Sequence, residues 1–184
     1  MSKLDFMPWV EKHRPRLIND IIGQPIIKKV FSEIIESGNM THLLLYGSPG
    51  TGKTSSVLAL AMQLFGPKRI SERVLELNAS DERGISVVRN KIIHFAKGIV
   101  GTADKNYPCP NFKIIILDEA DAMTNEAQSA LRKVMESMTK ITRFVFICNY
   151  DHQIIEPIKS RCSLFKFKEI CSDEGINKLK NIAI

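Results

Sequence analysis

The chain has 184 residues, of which 44% are hydrophobic and 25% charged, and it carries a formal net charge of +6. The composition is typical of a globular protein, with no apolar run long enough for a bilayer and no apolar secretory core at the N-terminus, so we expect neither a membrane-spanning nor a secreted protein. Its four cysteines show neither C-x-x-C spacing nor a zinc pattern with His, so we expect a reducing, intracellular setting without disulfides.

Apolar runs with strand character alternate with segments whose apolar residues recur at helical spacing. In chain order, the pattern predicts a helix at 26–35, a strand at 43–46, a helix at 55–64, a strand at 74–77, a helix at 87–95, a strand at 114–117, a helix at 127–138, and strands at 144–147 and 164–167. Runs that are apolar on successive residues suit strands buried on both faces. We therefore predict a doubly wound α/β fold with a parallel five-stranded sheet and a ligand at the strands' carboxyl ends.

Two segments fall outside this alternation. Glycines and prolines between residues 98 and 112 predict a surface loop. After Lys168 the pattern changes to a short polar helix at 172–182, which has no evident partner within the chain.

Residues 47–54 read Gly47-Ser48-Pro49-Gly50-Thr51-Gly52-Lys53-Thr54, a complete G-x-x-x-x-G-K-T phosphate loop. The loop lies between a predicted strand and a predicted helix, which is the context that the motif requires. Its backbone N–H groups would point at one anion, and the dipole of the following helix adds to that field. We therefore predict a nucleotide site that extends to Ser55, in which Lys53 reaches the β- and γ-phosphates and the Thr54 hydroxyl binds Mg²⁺. The alternative is a Gly/Pro turn between a strand and a helix.

A second motif follows the strand at 114–117, where Asp118 and Glu119 place two carboxylates at the sheet edge toward which the phosphate loop opens. Asp118 would hold Mg²⁺ directly or through water. Glu119 would orient and polarise the water that attacks the γ-phosphate. Two solvated acids at a strand end are the alternative.

Polar residues end the next two predicted segments. Asn149 follows the strand at 144–147, where its amide would contact the γ-phosphate or the attacking water, or else form an Asx turn. Arg161 precedes the last apolar run and would stabilise charge on a transferring phosphoryl group, although spacing alone favours a surface arginine.

The second predicted strand leads into a basic helix. Asn78 lies just past that strand's apolar core, and Arg83, Arg89 and Lys91 lie on or beside the helix that follows. A helix N-terminus with basic neighbours binds phosphates well, but a solvated basic face explains the same pattern.

Three stretches resemble sequence boxes of the replication factor C small subunits, which are clamp-loader members of the AAA+ ATPases. They are Trp9-Val10-Glu11-Lys12-His13-Arg14-Pro15-Arg16, Leu77-Asn78-Ala79-Ser80-Asp81-Glu82-Arg83-Gly84-Ile85 and Ser160-Arg161-Cys162. The first box usually has Tyr where this chain has His13. The resemblance covers residues 7–170, and Pro108-Cys109-Pro110 with Ile147-Cys148-Asn149-Tyr150 is most similar to the eukaryotic subunit 4 type.

The resemblance implies an ATPase subunit that uses ATP and Mg²⁺ in a five-subunit ring. Such a ring opens a sliding clamp and loads it on primer–template DNA, so the implied partners are the other loader subunits, the clamp and DNA, with no membrane. The implied location is the nucleus for a eukaryotic cell, or a cytoplasmic replication site for a virus.

The resemblance also implies roles for residues of this chain. Lys53, Thr54, Asp118 and Glu119 would bind and hydrolyse ATP, Asn149 would be the first sensor, and Arg161 would be an arginine finger that acts on ATP held by the neighbouring subunit. Asn78 would be a polar switch that restrains the catalytic glutamate until DNA binds. The adenine-side pocket would comprise Val10, Arg14, Pro15, Ile22, Gly23 and Gln24. Arg83, Arg89 and Lys91 would lie near the helix that follows the DNA backbone, and the 98–112 loop would approach the clamp.

We expect residues 1–168 to form the ATPase core, with 7–25 on the adenine side, and residues 169–184 to begin a helical lid whose remainder is absent. Because the arginine finger acts on a neighbour and the lid is missing, ATP hydrolysis by the chain alone is expected to be weak. A non-catalytic fragment that acts only in subunit interaction remains the alternative. A helicase is suggested only by the Asp118-Glu119-Ala120-Asp121 tetrapeptide, and a small-molecule kinase only by the phosphate loop.

Overall fold

The computed structural model describes residues 8–80, 85–170 and 172–183. Within these ranges five parallel strands form one sheet in the order β2-β3-β4-β1-β5. The strands are β1 (His42–Tyr46), β2 (Val74–Asn78), β3 (Lys113–Asp118), β4 (Thr142–Cys148) and β5 (Cys162–Lys166). The predicted strands and the parallel sheet are therefore confirmed.

Seven α-helices connect and flank these strands in the described part of the chain. They are α1 (Trp9–Lys12), α2 (Pro25–Ser37), α3 (Lys53–Arg73), α4 (Ile85–Lys97), α5 (Asn125–Met138), α6 (Glu156–Lys159) and α7 (Ser172–Ala183). Short 3-10 turns lie at Ile18–Asp20, Ala120–Ala122 and Asp151–Gln153. Thr124 is the N-cap of α5, because its side chain accepts a hydrogen bond from the Ala127 N–H.

Successive residues of β3 are buried because helices cover both faces of the sheet. Ile114 and Ile116 pack with Phe31 and Leu64 on the face covered by α2 and α3. Alternate residues of the same strand, Ile115 and Leu117, pack on the opposite face with side chains of α4 and α5, including Ile92, Leu131 and Met135. Alternate residues of one apolar strand thus face helices on opposite sides of the sheet, which is the arrangement expected for a doubly wound fold.

Helix α3 extends further than the sequence predicted. It continues to Arg73 across a kink at Gly66, where φ is 71° and ψ is 166°, and Pro67 begins the second helical part. A Cβ at Gly66 would clash with the Tyr107 ring, so glycine is required both by the backbone and by the ring beside it. The prediction stopped at residue 64 because a Gly-Pro pair normally ends a helix.

The 98–112 segment is a loop, as predicted, and the buried side chains of Arg73 and Lys113 hold it against the core through hydrogen bonds. The Arg73 side chain, at the end of α3 and 2% exposed, donates hydrogen bonds to the carbonyl oxygens of Pro110 and Phe112. Lys113 donates to the carbonyl oxygens of Phe95 and Gly98 at the end of α4. The loop is therefore held at both ends.

The last helix lies beside another segment of the chain, although its Leu179 stays 65% exposed. Leu179 and Ile182 of α7 line the same cavity as Ile21 and Ile22, which precede α2. A Cβ placed on Gly23 would lie 3.3 Å from the Glu174 carboxylate of α7. Periodicity gave no sign of this contact, because the partner is an irregular segment rather than a helix or strand.

Candidate functional site

The phosphate loop, residues 47–52, connects the end of β1 to the first turn of α3. Gly47 has a φ of 143°, and a Cβ there would clash with the carbonyl oxygen of Phe167, whose N–H bonds Tyr46 at the end of β1. Only glycine therefore allows the loop to leave the strand beside β5. The first residue of α3 is Lys53, so the helix N-terminus faces the cavity that the loop borders.

The Lys53 ammonium lies against oxygens of the loop and of β4. Its Nζ donates to the carbonyl oxygens of Gly47 at 2.6 Å and Ser48 at 2.9 Å, and to Asn149 Oδ1 at 3.1 Å. Burial lowers the pKa of Lys53, whereas the Asp118 carboxylate opposes that change. The loop thus presents a largely buried cation beside Asn149.

Thr54 and Asp118 lie in direct contact. The Thr54 hydroxyl donates to Asp118 Oδ2 at 2.6 Å, and the Glu119 N–H donates to Asp118 Oδ1 at 2.9 Å. A hydroxyl and a carboxylate are the hard oxygen ligands that Mg²⁺ prefers, usually completed by phosphate oxygens and water. No group of three or more His, Cys, Asp or Glu side chains within the described residues forms a metal cage. The residues present therefore fit a Mg²⁺ ion held jointly with a phosphate.

Glu119 is exposed at the cavity and has an unusual backbone. Its φ of 52° and ψ of 40° lie in the left-handed region, and it begins the 3-10 turn Ala120–Ala122. Such a conformation is costly for a residue with a Cβ and is found mostly where function requires it. The sequence predicted the role of Glu119 but not this conformation.

Most of the predicted phosphate, metal and sensor residues line one cavity of about 380 Å³, whereas Gly47, Ser48 and Thr51 lie outside its lining. Its lining includes Gly50, Gly52, Lys53, Thr54, Asp118, Glu119 and Asn149, together with Pro49, Ser55 and Arg14. Cys148 also lines it, and burial raises the pKa of its thiol to about 12, which favours the protonated thiol at neutral pH. The two sequence motifs therefore meet at the carboxyl edge of the sheet.

A second, more apolar cavity of about 520 Å³ continues from the first one. Arg14, Gly50, Gly52 and Ser55 line both, and Pro15, Ile22 and Thr51 line the second together with the α7 residues named above. Gly23 lies outside its lining with a φ of 63°, and the side chain of Gln24 bonds the backbone of Lys168. Val10 lies on α1. The lining thus contains Arg14, Pro15 and Ile22 of the predicted adenine side.

Arg161 and Asn78 do not reach the cavity of their own chain. Arg161 donates to the Pro157 carbonyl oxygen and forms a 2.6 Å ion pair with Glu136 of α5. Asn78 Oδ1 accepts hydrogen bonds from the backbone N–H and the hydroxyl of Ser80. An arginine that acts on a neighbouring subunit is expected to lie outside its own cavity. The role of Arg161 as an arginine finger and the switch role of Asn78 both stay predictions.

The predicted DNA-contacting residues fall on or before α4. Arg89 lines a groove with Asn125, Ser129 and Lys133 of α5, and Lys91 is exposed on α4. Arg83 lies outside the described residues. The sequence did not predict the α5 side of this groove, because the pattern of one helix does not reveal which other helix lies beside it.

The sequence did not predict the role of Asp121 as a hydrogen-bond acceptor. Its Oδ2 accepts hydrogen bonds from the N–H groups of Asn149 at 2.9 Å and Tyr150 at 3.1 Å. In the sequence, Asp121 stands out only as the last residue of the helicase-like tetrapeptide Asp118-Glu119-Ala120-Asp121. The contact depends on where β4 ends, which spacing alone does not specify.

No helix within the described ranges has the length and apolar character needed to cross a membrane. The profile of the "ATPase family associated with various cellular activities (AAA)" matches residues 43–170. This match includes both nucleotide motifs, Asn149 and Arg161.

Curated relatives match nearly all of the chain. It is 53% identical over 176 residues to replication factor C subunit 2 of Oryza sativa, covering 95% of this chain and 52% of that protein. It is 52% identical over 178 residues to replication factor C subunit 4 of Homo sapiens, covering 96% and 49%. The chain therefore spans about half the length of the curated relatives it matches.

A solved structure, the Thermotoga maritima RuvB P216G mutant, matches with a TM-score of 0.68 and 16% identity, covering 92% of this chain and 54% of that one. At this identity the likeness shows a shared fold. The chain therefore belongs to the AAA family of ATPases, and it is similar in sequence to subunits of replication factor C.

Proposed function

We propose that the chain binds ATP with Mg²⁺ in the cavity at the phosphate loop and hydrolyses it as a subunit of a DNA sliding-clamp loader. One observation carries this proposal: the Lys53–Asn149 and Thr54–Asp118 contacts bring both nucleotide motifs into a single cavity. The similarity to replication factor C small subunits supports the clamp-loading role, and a nuclear location follows from it.

Each side chain of the cavity has one task in this mechanism. Lys53 would exchange its loop carbonyl partners for phosphate oxygens, and Thr54 with Asp118 would hold Mg²⁺, whose charge would stabilise the phosphates. Glu119 orients the attacking water and accepts its proton. Asn149 contacts the γ-phosphate or that water.

Arg161 acts in trans in this proposal. Its ion pair with Glu136 places it away from its own cavity, so a neighbouring subunit would receive it. An arginine finger contributes ~10³–10⁵ in rate, so the isolated chain is expected to hydrolyse ATP slowly. The partners proposed are the other loader subunits, the clamp and primer–template DNA, with Arg89 and Lys91 contacting phosphates independently of base sequence.

The alternative is a non-catalytic, nucleotide-binding chain that acts only in subunit interaction. The exclusion of Arg161 from its own cavity favours this alternative for the chain alone. Mixing the chain with its partner subunits, clamp and primed DNA separates the two, because a catalytic subunit then raises ATP turnover above that of the partners alone.

The direct test is substitution of Lys53. Lys53→Ala is expected to abolish binding of a fluorescent ATP analogue, and Glu119→Gln is expected to retain binding but lose single-turnover hydrolysis. Lys68→Ala, an exposed lysine on the same helix, is the matched control. Unchanged nucleotide affinity in Lys53→Ala would defeat the proposed site.

A further inference from the structure

Asp121 has no task in the mechanism above, yet it contacts the element that carries Asn149. It lies in the 3-10 turn Ala120–Ala122, directly after the two acids that end β3. Its Oδ2 accepts two backbone N–H groups, from Asn149 and from Tyr150. A carboxylate that accepts two amide hydrogens forms charge-assisted bonds, which are stronger than neutral ones.

These two amides lie just beyond the end of the sheet ladder. The last paired residues of β4 are Cys148, opposite Tyr46 of β1, and Phe146, opposite Leu117 of β3. Beyond this point the sheet registers supply no further strand partner, so the N–H groups of Asn149 and Tyr150 depend on another acceptor. By accepting both N–H groups, Asp121 extends the backbone hydrogen bonding of β4 by two residues beyond the sheet.

The side chain of Asn149 points the other way, toward the phosphate loop. Its Oδ1 accepts a hydrogen bond from Lys53 Nζ at 3.1 Å. The residue is thus fixed by its backbone to Asp121 and presents its amide to the cavity.

The same short turn also carries Glu119. Glu119 adopts the left-handed conformation as the N-cap of the turn, and its carbonyl oxygen accepts a hydrogen bond from the Ala122 N–H at 2.9 Å. Glu119 and Asp121 therefore belong to one short hydrogen-bonded turn. A shift of this turn would move the two residues that flank the attacking water together.

We propose that Asp121 is a positioning residue for ATP hydrolysis, which holds Asn149 in the cavity and fixes its location relative to Glu119. The inference rests on the proposed function, because the reaction concerned is hydrolysis at that cavity. Asp121 would act through Asn149 and not on ATP itself, so its loss should affect the rate of hydrolysis more than nucleotide affinity.

The test uses the full chain with MgATP under single-turnover conditions, with protein in excess. Asp121→Ala is expected to slow hydrolysis about tenfold to hundredfold, the range for loss of hydrogen bonds to a charged group, while affinity for a fluorescent ATP analogue changes less than about threefold. Asp121→Asn keeps an acceptor but no charge and should give an intermediate rate. Asp151→Asn, in the turn that follows Asn149, is the matched control and should hydrolyse ATP like the wild type.

Two further measurements distinguish positioning from general support of the fold. In an Asn149→Ala background, Asp121→Ala should cause little additional slowing, because its route of action is already gone. Amide hydrogen exchange at Asn149 and Tyr150 should quicken about tenfold in Asp121→Ala and Asp121→Asn without nucleotide, but not in Asp151→Asn.

The possible results distinguish failure of the proposed function from failure of the proposed role of Asp121. A wild-type chain that binds no nucleotide contradicts the proposed function itself. Three results would overturn the role of Asp121 alone, provided that the wild type hydrolyses ATP normally. They are unimpaired hydrolysis by Asp121→Ala and Asp121→Asn, fully additive effects in the double variant, and unchanged amide exchange. If Asp121→Ala does not fold, Asp121→Asn carries the same comparisons.

Discussion

His42 at the start of β1 makes the stability of the fold depend on pH. Its Nδ1 accepts a hydrogen bond from the Phe144 N–H, and its ring packs edge-on against the Phe144 ring at 5.5 Å. Burial, with a smaller contribution from Arg143, lowers the pKa of His42 from 6.5 to about 4. The folded chain therefore resists a proton that the unfolded chain accepts near pH 6.5.

The sign and size of the effect follow from this difference. A lowered histidine pKa stabilises the fold fully above the unfolded value, and that stabilisation is lost progressively as the pH falls from 6.5 toward 4. Between pH 7 and pH 5 the loss would be at most about 2 kcal/mol. Because the ring is only partly buried, solvent screening reduces the expected loss to about 1 kcal/mol.

The assay is urea unfolding at pH 7 and pH 5, compared between the wild type and His42→Asn. Asparagine keeps an acceptor for the Phe144 N–H but does not titrate, so the variant should lose about 1 kcal/mol less free energy of unfolding over this interval. His94→Asn, which removes an exposed histidine on α4, should follow the wild type. Equal pH dependence in His42→Asn and wild type would refute the reasoning.

Three further predictions concern the site and the loop beside it. Thr54→Val should weaken ATP-analogue binding about tenfold in Mg²⁺ but not in EDTA, because only the hydroxyl ligand is lost; equal weakening in both would contradict the metal role. Gly47→Ala should lower the free energy of unfolding by about 2 kcal/mol or more and abolish nucleotide binding, whereas Gly175→Ala, whose added Cβ makes only ordinary contact, should do neither. Arg73→Met should leave buried carbonyl oxygens unpaired, cost about 2–4 kcal/mol in urea unfolding and quicken amide exchange across residues 99–112, with Lys68→Met as the unaffected control.

The fold was predictable because its signals are local. Apolar runs at 43–46, 114–117 and 144–147 specify the buried central strands, and the glycines with Lys53 and Thr54 specify the loop between the first strand and its helix. The strand ends then fix where Asp118 and Asn149 lie, since parallel strands bring their carboxyl ends to one edge. No knowledge of side-chain contacts was needed for this part of the site.

The structural features that the sequence did not predict depend on contacts between segments that are far apart in the chain. The acceptor role of Asp121 requires the end of β4 to lie beside the turn after β3. The cavity that α7 lines with Ile21 and Ile22 lies between a helix and an irregular segment. The continuation of α3 through Gly66 depends on the ring of Tyr107, about forty residues away in sequence. Such contacts leave no periodic pattern.

The order of the strands has a consequence for how the site opens. The phosphate loop, Asp118 and Asn149 follow the three central strands, of which β3 is buried almost throughout, whereas the edge strand β5 is only partly buried. Local opening starts where burial is least, so α7 and the end of β5 should fray before the central strands do. The apolar cavity beside α7 would then admit or release the far end of a ligand while the phosphate side keeps its shape. Exchange of a bound nucleotide would in that case need only a local opening at one edge of the fold, and not an excursion of its core.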